Sequence, residues 1–140
     1  MDINKNKKTF ENASDIKAVF FDVDGTLVSF NTNKVPASAK QAIKTLRAKG
    51  IKVIVATGRS IKALEVLEDI SFDGFVCFNG GLCATTDGDI LHKQVIHADD
   101  IRALVKHQQE KGLNFALMYH DRVAVQSVNQ DVIDLYKHVN

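Results

Sequence analysis

Cysteine is scarce in this chain, with Cys77 and Cys83 the only two among 140 residues. Two thiols cannot build a disulfide framework, and a reducing cytosol would keep both free. Together with His92 and His97 they number four potential zinc ligands, but the tight C-x-x-C or H-x-x-x-H pairs that close such a site are missing. One thiol buried in a strand and another just beyond it is the preferred reading. An excess of one charge is lacking too. Lys and Arg number 18 against 17 Asp and Glu, a formal charge of +1, which argues against the broad basic field of a nucleic-acid binder. No apolar run approaches the roughly 20 residues of a membrane-spanning helix, so no membrane contact is expected. Residues 1–12 are polar, with a solvated Lys5-Asn6-Lys7-Lys8 cluster and no signal-peptide core. A disordered arm over residues 1–14 and a cytoplasmic location are expected. No internal repeat or low-complexity linker occurs. What remains, 45% hydrophobic and 25% charged, is the composition of a chain that can bury a core.

Residues 16–21 form an apolar run broken only by Lys17, as for a parallel strand buried on both faces, and the run ends at Asp22. Ser38 with Gln41 reads as a capping box ahead of Ala39, Ala42, Ile43 and Leu46, and Gly50 stops that helix. A second buried strand spans 51–56. Ser60 can cap a helix carrying Ile61, Leu64 and Leu67 on one side, and residues 75–78 form a third strand. Strand, helix, strand, helix, strand describes two crossover units of a parallel sheet, whose ligands bind beyond the strands' carboxyl ends. After Asn79-Gly80-Gly81 the pattern turns antiparallel, with residues 82–85 and 90–93 flanking Asp87-Gly88 as a hairpin. Asp99 and Asp100 open a helix with Ile101, Leu104 and Val105 facing inward, ending near Gly112. Leu113, Phe115, Leu117 and Tyr119 alternate, residues 123–127 return after His120-Asp121, and a last helix from Asp131 carries Val132, Leu135 and Tyr136. A core over residues 15–81 and a second unit over 82–140 are therefore expected. Phe115, Met118 and Tyr119 read as core or sheet face. Of the scattered His107, His120 and His138, only His120 sits in a turn where it could meet a substrate.

The sharpest motif is Asp22-Val23-Asp24-Gly25-Thr26-Leu27, two carboxylates and a glycine directly after a buried strand. Acids two residues apart at the mouth of a parallel sheet can share a hard cation such as Mg²⁺, which takes oxygen ligands and keeps water. One carboxylate could then attack a phosphate while the other handles the leaving-group proton. Asp-Gly also occurs as a plain turn. A calcium loop is excluded because its glycine and glutamate positions, counted from Asp22, hold Leu27 and Asn33. Neither the dinucleotide fingerprint nor the phosphate-loop motif occurs. The second motif is Thr57-Gly58-Arg59-Ser60, again at a strand's carboxyl end. The Thr57 hydroxyl, a helix N-terminus and the Arg59 fork all suit a phosphate, although such a turn is also common as an ordinary strand-to-helix loop.

Together these residues resemble the haloacid dehalogenase-like hydrolase superfamily, and within it the Cof-like sugar phosphatases, whose T-G-R and N-G-G turns match Thr57-Gly58-Arg59 and Asn79-Gly80-Gly81. The resemblance covers nearly the whole chain from Ile16. It implies an α/β fold in which a partial Rossmann-like parallel sheet is followed by the first part of an inserted α+β cap. It also implies Asp22 as the nucleophile forming an aspartyl-phosphate and Asp24 as the acid and base. Mg²⁺ would be bound by the Asp22 carboxylate and the Asp24 main-chain carbonyl, with Thr57, Gly58 and Arg59 at the phosphate and Asn79 and Gly80 as the hinge into the cap. The expected substrate is a small phosphorylated metabolite. The family's lysine motif and its second acidic motif have no match here, so part of the catalytic set, and the later strands that would pack on the far side of the first strand, are expected to be missing. Residues 16–21 would then form an exposed edge open to self-association. A phosphomutase of the same superfamily and an inactive phosphate- or partner-binding module are the alternatives.

Overall fold

Alternating β-branched residues bury Val53 and Val55 completely, which makes Lys52–Ala56 (β2) the centre of the core. Each such side chain contributes about 1.5–3 kcal/mol of burial free energy. The computed structural model describes residues 15–67, 69–125 and 127–139. The expected disordered arm over residues 1–14, with its lysine cluster, lies outside them. β2 stands between Ala18–Phe21 (β1) and Gly74–Cys77 (β3), both parallel to it. Leu82–Thr85 (β4) and Ile90–Lys93 (β5) add an antiparallel hairpin, giving one five-stranded sheet in sequential order. This is the expected α/β architecture. The core gathers Val23, Leu27, Val28, Ile43, Leu64, Leu67, Phe72, Cys77 and Leu82 around β2.

Three local expectations need correction. The strand read at residues 16–21 is not buried on both faces: among the described residues β1 pairs with β2 alone, and Phe20 is 59% exposed. Without a neighbour on its far side among the described residues, the apolar run lies at an edge of the described sheet. The Ser38-Gln41 capping box does not form, because Ala37–Ala48 (α1) already begins after Pro36, at φ −61° and ψ 146°, with no side-chain cap. The Pro36 carbonyl accepts the Ala39 and Lys40 N–H groups at 3.0 and 3.1 Å, so Ser38 falls inside the first turn. The helix after Ser60 is 3₁₀ rather than α over Ile61–Leu67. Its apolar residues recur every third position, which eclipses them in a three-per-turn helix and buries Leu64 and Leu67 while Ile61 stays exposed. Ser60 does cap it, accepting the Ala63 N–H at 3.3 Å.

The amino end of the sheet is stapled by one carboxylate. Asp73, 16% exposed, accepts the Val53 N–H at 3.0 Å, Arg47 Nε at 3.1 Å and Lys52 Nζ at 3.1 Å. The backbone N–H and the Arg47 guanidinium hold its carboxyl down at about 2. α1, β2 and the entry to β3 are thereby tied at one point.

Ala98–Lys111 (α2) ends at Gly112, left-handed at φ 65° as a helix stop requires. Ile101 and Val105 are half-buried, but Leu104 is exposed and Gln108 takes the buried position. Ala116–Met118 (β6) and Val123–Val125 (β7) pair antiparallel, with the Arg122 guanidinium 4.5 Å from the Tyr119 ring centre. Gln130–Val139 (α3) follows, capped by Asn129 Oδ1 on the Val132 N–H at 3.0 Å. The expected inward positions Leu135 and Tyr136, and His138, lie outside the described side chains. Among the described residues no helix is long and apolar enough to cross a membrane.

Candidate active site

The carboxyl ends of β1 and β2 meet in the first motif and the threonine turn. Phe21 pairs with Val55, so the register sets Asp22 opposite Ala56 and one residue short of Thr57. Adjacent strands lie about 4.8 Å apart, which makes the two residues neighbours at one mouth. Asp22 is exposed, and its Oδ2 accepts the Thr26 hydroxyl at 3.2 Å. Thr57 is 5% exposed. Its N–H continues the ladder to the Val76 carbonyl at 2.9 Å, and its Oγ1 accepts the Arg59 N–H at 3.2 Å. Among the described residues no acceptor takes the hydroxyl proton.

The turn after Asp22 folds back on itself. Val28 N–H donates to the Val23 carbonyl at 2.8 Å and Gly25 N–H to the Val28 carbonyl at 2.9 Å. Gly25 sits at φ +76°, and a Cβ there would stand 2.6 Å from the Phe30 ring, so this glycine serves both the turn and the ring packed on it. Phe30 itself is 77% exposed beside the mouth, a feature its sequence context did not signal.

Arg59 was expected at a phosphate. Its fork instead grips Asp24, with Nη2 to Oδ1 at 2.7 Å and Nε to Oδ2 at 3.0 Å, while Nη1 donates to the Ala63 carbonyl at 3.0 Å. The hydrogen bonds from this guanidinium lower the Asp24 carboxyl below its ordinary value, against a smaller opposing effect of burial, and the Arg59 side chain is raised in turn. Gly58, between Thr57 and Arg59 in the chain, lies under the Asn79 side chain. A Cβ on Gly58 would meet Asn79 Oδ1 at 3.2 Å and Nδ2 at 3.4 Å. The resemblance implies for Asn79 mainly a hinge. That β2 and β3 are adjacent, so that their following turns touch, was the signal that could have placed it here.

Mg²⁺ takes oxygen donors, and this mouth offers the Asp22 carboxylate and the Asp24 main-chain carbonyl, which the turn's hydrogen bonds leave aside. That donor chemistry fits a Mg²⁺ that keeps most of its water. Among the described residues no cluster of three or more His, Cys, Asp or Glu side chains could hold a metal, and the weighed zinc set of Cys77, Cys83, His92 and His97 is not assembled. Cys77 is buried, which pushes its thiol up to about 11, and His97 instead caps α2 by accepting the Asp99 N–H at 3.3 Å.

A sequence profile of haloacid dehalogenase-like hydrolases matches residues 19–139. The chain belongs to this family. Haloacid dehalogenase-like relatives include the phosphatase candidate YkrA of Bacillus subtilis, 30% identical over 69% of this chain and 37% of its own length. A Streptococcus pyogenes protein described as a candidate bifunctional phosphatase and peptidyl-prolyl cis-trans isomerase is 33% identical over 86% of this chain and 26% of its own length. Among solved structures, the phosphatase BT1666 of Bacteroides thetaiotaomicron superimposes with a TM-score of 0.83 at 33% identity, over 92% of this chain and 48% of its own. The subclass IIB sugar phosphatase BT4131 gives a TM-score of 0.72 at 33% identity, over 86% of this chain and 47% of its own. The chain thus spans about half the length of these solved structures and less of the curated relatives.

Proposed function

We propose that this chain carries the nucleophile half of a Mg²⁺-dependent phosphatase of small phosphorylated metabolites, sugar phosphates foremost, working through an aspartyl-phosphate at Asp22. The carrying observation is that Asp22 with Asp24, and Thr57, follow the carboxyl ends of two adjacent parallel strands, with Arg59 of the threonine turn gripping Asp24. The family and its phosphatase-named relatives support the reaction class. A free Asp22 oxygen attacks phosphorus as the ester bond breaks, and the departing alkoxide takes a proton from Asp24. Asp24 then removes a proton from water, whose oxygen attacks the same phosphorus and frees the Asp22 carboxylate. The ionised state that Arg59 favours on Asp24 suits this second step and opposes the first, for which Asp24 must carry a proton. Thr57 donates its hydroxyl to a phosphoryl oxygen. Mg²⁺ bound at the Asp22 carboxylate and the Asp24 carbonyl would neutralise phosphate charge.

The test is Mg²⁺-dependent phosphate release from p-nitrophenyl phosphate, with Asp22→Asn as the control. Release lost in the variant supports the reading, and release unchanged in it contradicts the assignment. A phosphomutase would return the phosphoryl group to substrate rather than to water.

One observation favours a second reading, that of a partner-binding module. Among the described residues no strand pairs with the outer edge of β1, where Phe20 is largely exposed. A second copy pairing there would give a mass that rises with concentration in sedimentation and is unchanged by Asp22→Asn. A monomer at all concentrations contradicts it.

A further inference from the structure

The turn that follows β3 stands in an unusual conformation. Phe78 and Asn79, consecutive and both bearing a Cβ, lie in the left-handed region at φ 52° and 54°. Asparagine tolerates that region, whereas for a bulky phenylalanine it is an outlier that the surroundings must impose. What this conformation secures is contact with the threonine turn. Phe78 N–H donates to the Arg59 carbonyl at 3.1 Å and Asn79 N–H to the Thr57 carbonyl at 3.0 Å, one on each side of Gly58. The Asn79 amide then rests over Gly58, in the space a side chain at 58 would take. It is exposed, and among the described residues it makes no hydrogen bond.

A neutral amide whose N–H groups no described residue takes thus stands over Gly58, the residue that follows Thr57. We infer that Asn79 is a phosphate ligand of this site, donating Nδ2–H to a non-bridging phosphate oxygen beside the one held by Thr57. The inference rests on the reading that this mouth takes a phosphate group, and assigns Asn79 a binding role in addition to that of a turn residue. It also explains the pairing of residue types. Glycine at 58 leaves room for the amide, and asparagine at 79 combines tolerance of a positive φ with a donor that an anion accepts.

Binding of inorganic phosphate in the presence of Mg²⁺, by titration calorimetry, tests this without turnover, with thermal unfolding of each variant in parallel. Thr57→Ala should weaken binding. Asn79→Asp keeps size and backbone tolerance but sets a carboxylate against the anion, so a loss of about tenfold or more is expected. Asn79→Gly keeps the backbone and removes the amide, so binding should weaken while the melting temperature holds or rises. If both Asn79 variants bind as the parent does while Thr57→Ala does not, Asn79 is a turn residue only and the inference falls with the proposed function intact. If both lose binding only along with a large drop in melting temperature, the role is structural and the inference falls again. If the parent chain binds no phosphate, the proposed function and the inference fall together.

Discussion

Two aspartates at opposite ends of the same sheet show how differently one residue type can be used. At the amino end Asp73 is mostly buried and accepts a backbone N–H and two cations, all three its partners in the resting fold. At the carboxyl end Asp24 is more exposed and, among the described residues, meets the Arg59 fork alone, close in the chain to Asp22, whose carboxylate has just the Thr26 hydroxyl among them. A carboxylate whose partners are elements of the fold acts as a staple. A carboxylate left half in water beside a second acid retains the freedom that proton transfer and phosphoryl attack require. The difference teaches that the surroundings of an acid, rather than its charge, separate structural from chemical duty.

Substitutions can break or sharpen this contrast. The largest effect is expected for Asp22→Asn, which should lower Mg²⁺-dependent phosphate release by roughly a thousandfold or more while the melting temperature stays within about two degrees. A parallel loss of stability would erase the distinction between the two ends. Next comes Asp73→Asn. The shift from the ordinary carboxyl value of 3.8 to about 2 corresponds to about 2 kcal/mol, or a melting temperature lower by roughly 5–10 °C. Because the folded carboxyl binds its proton more weakly than the unfolded one, this stability is present above pH ~4 and is lost as pH falls through ~2. Urea unfolding from pH 5 to 2 should show a steeper decline for the parent than for the variant, and parallel curves would contradict the staple.

Gly25→Ala comes third. Both Gly25 and Gly88 have positive φ, but a Cβ at 88 meets nothing within 4 Å, whereas at 25 it strikes Phe30. Backbone strain of about 1 kcal/mol is common to both, so Gly25→Ala should melt lower than Gly88→Ala, and equal melting would show that Phe30 moves freely. The smallest effect is Arg59→Gln. Removing a partly exposed pair should change stability by under about 1 kcal/mol in chemical unfolding, and a larger loss would make the Asp24 pair a second staple.

Much of this layout is legible in the sequence, because strands with buried β-branched residues and turns with glycine carry their own signals. The β4–β5 hairpin, the stop at Gly112 and the meeting of Asp22 with Thr57 all follow from such patterns. What was not legible depends on contacts between distant positions. Asp73 looks like any loop acid until the chain brings Arg47, Lys52 and the Val53 N–H around it. Ser38 carried a capping signal that a proline two residues earlier overrode, and the apolar spacing of 61, 64 and 67 fits three residues per turn as well as 3.6. The pairing of Arg59 with Asp24 likewise arises only when the turns after β1 and β2 meet. Asn79 was hidden because its role arises across two strands.

The most direct test of the central claim, that Asp22 is the phosphoryl-accepting nucleophile, is fluorine NMR of beryllofluoride with Mg²⁺. Beryllofluoride bonds to a nucleophilic carboxylate as a phosphoryl mimic and needs no turnover. Bound fluorine resonances in the parent chain that vanish in Asp22→Asn are the predicted result. No bound resonance in the parent, or the same resonances in both, would contradict the account.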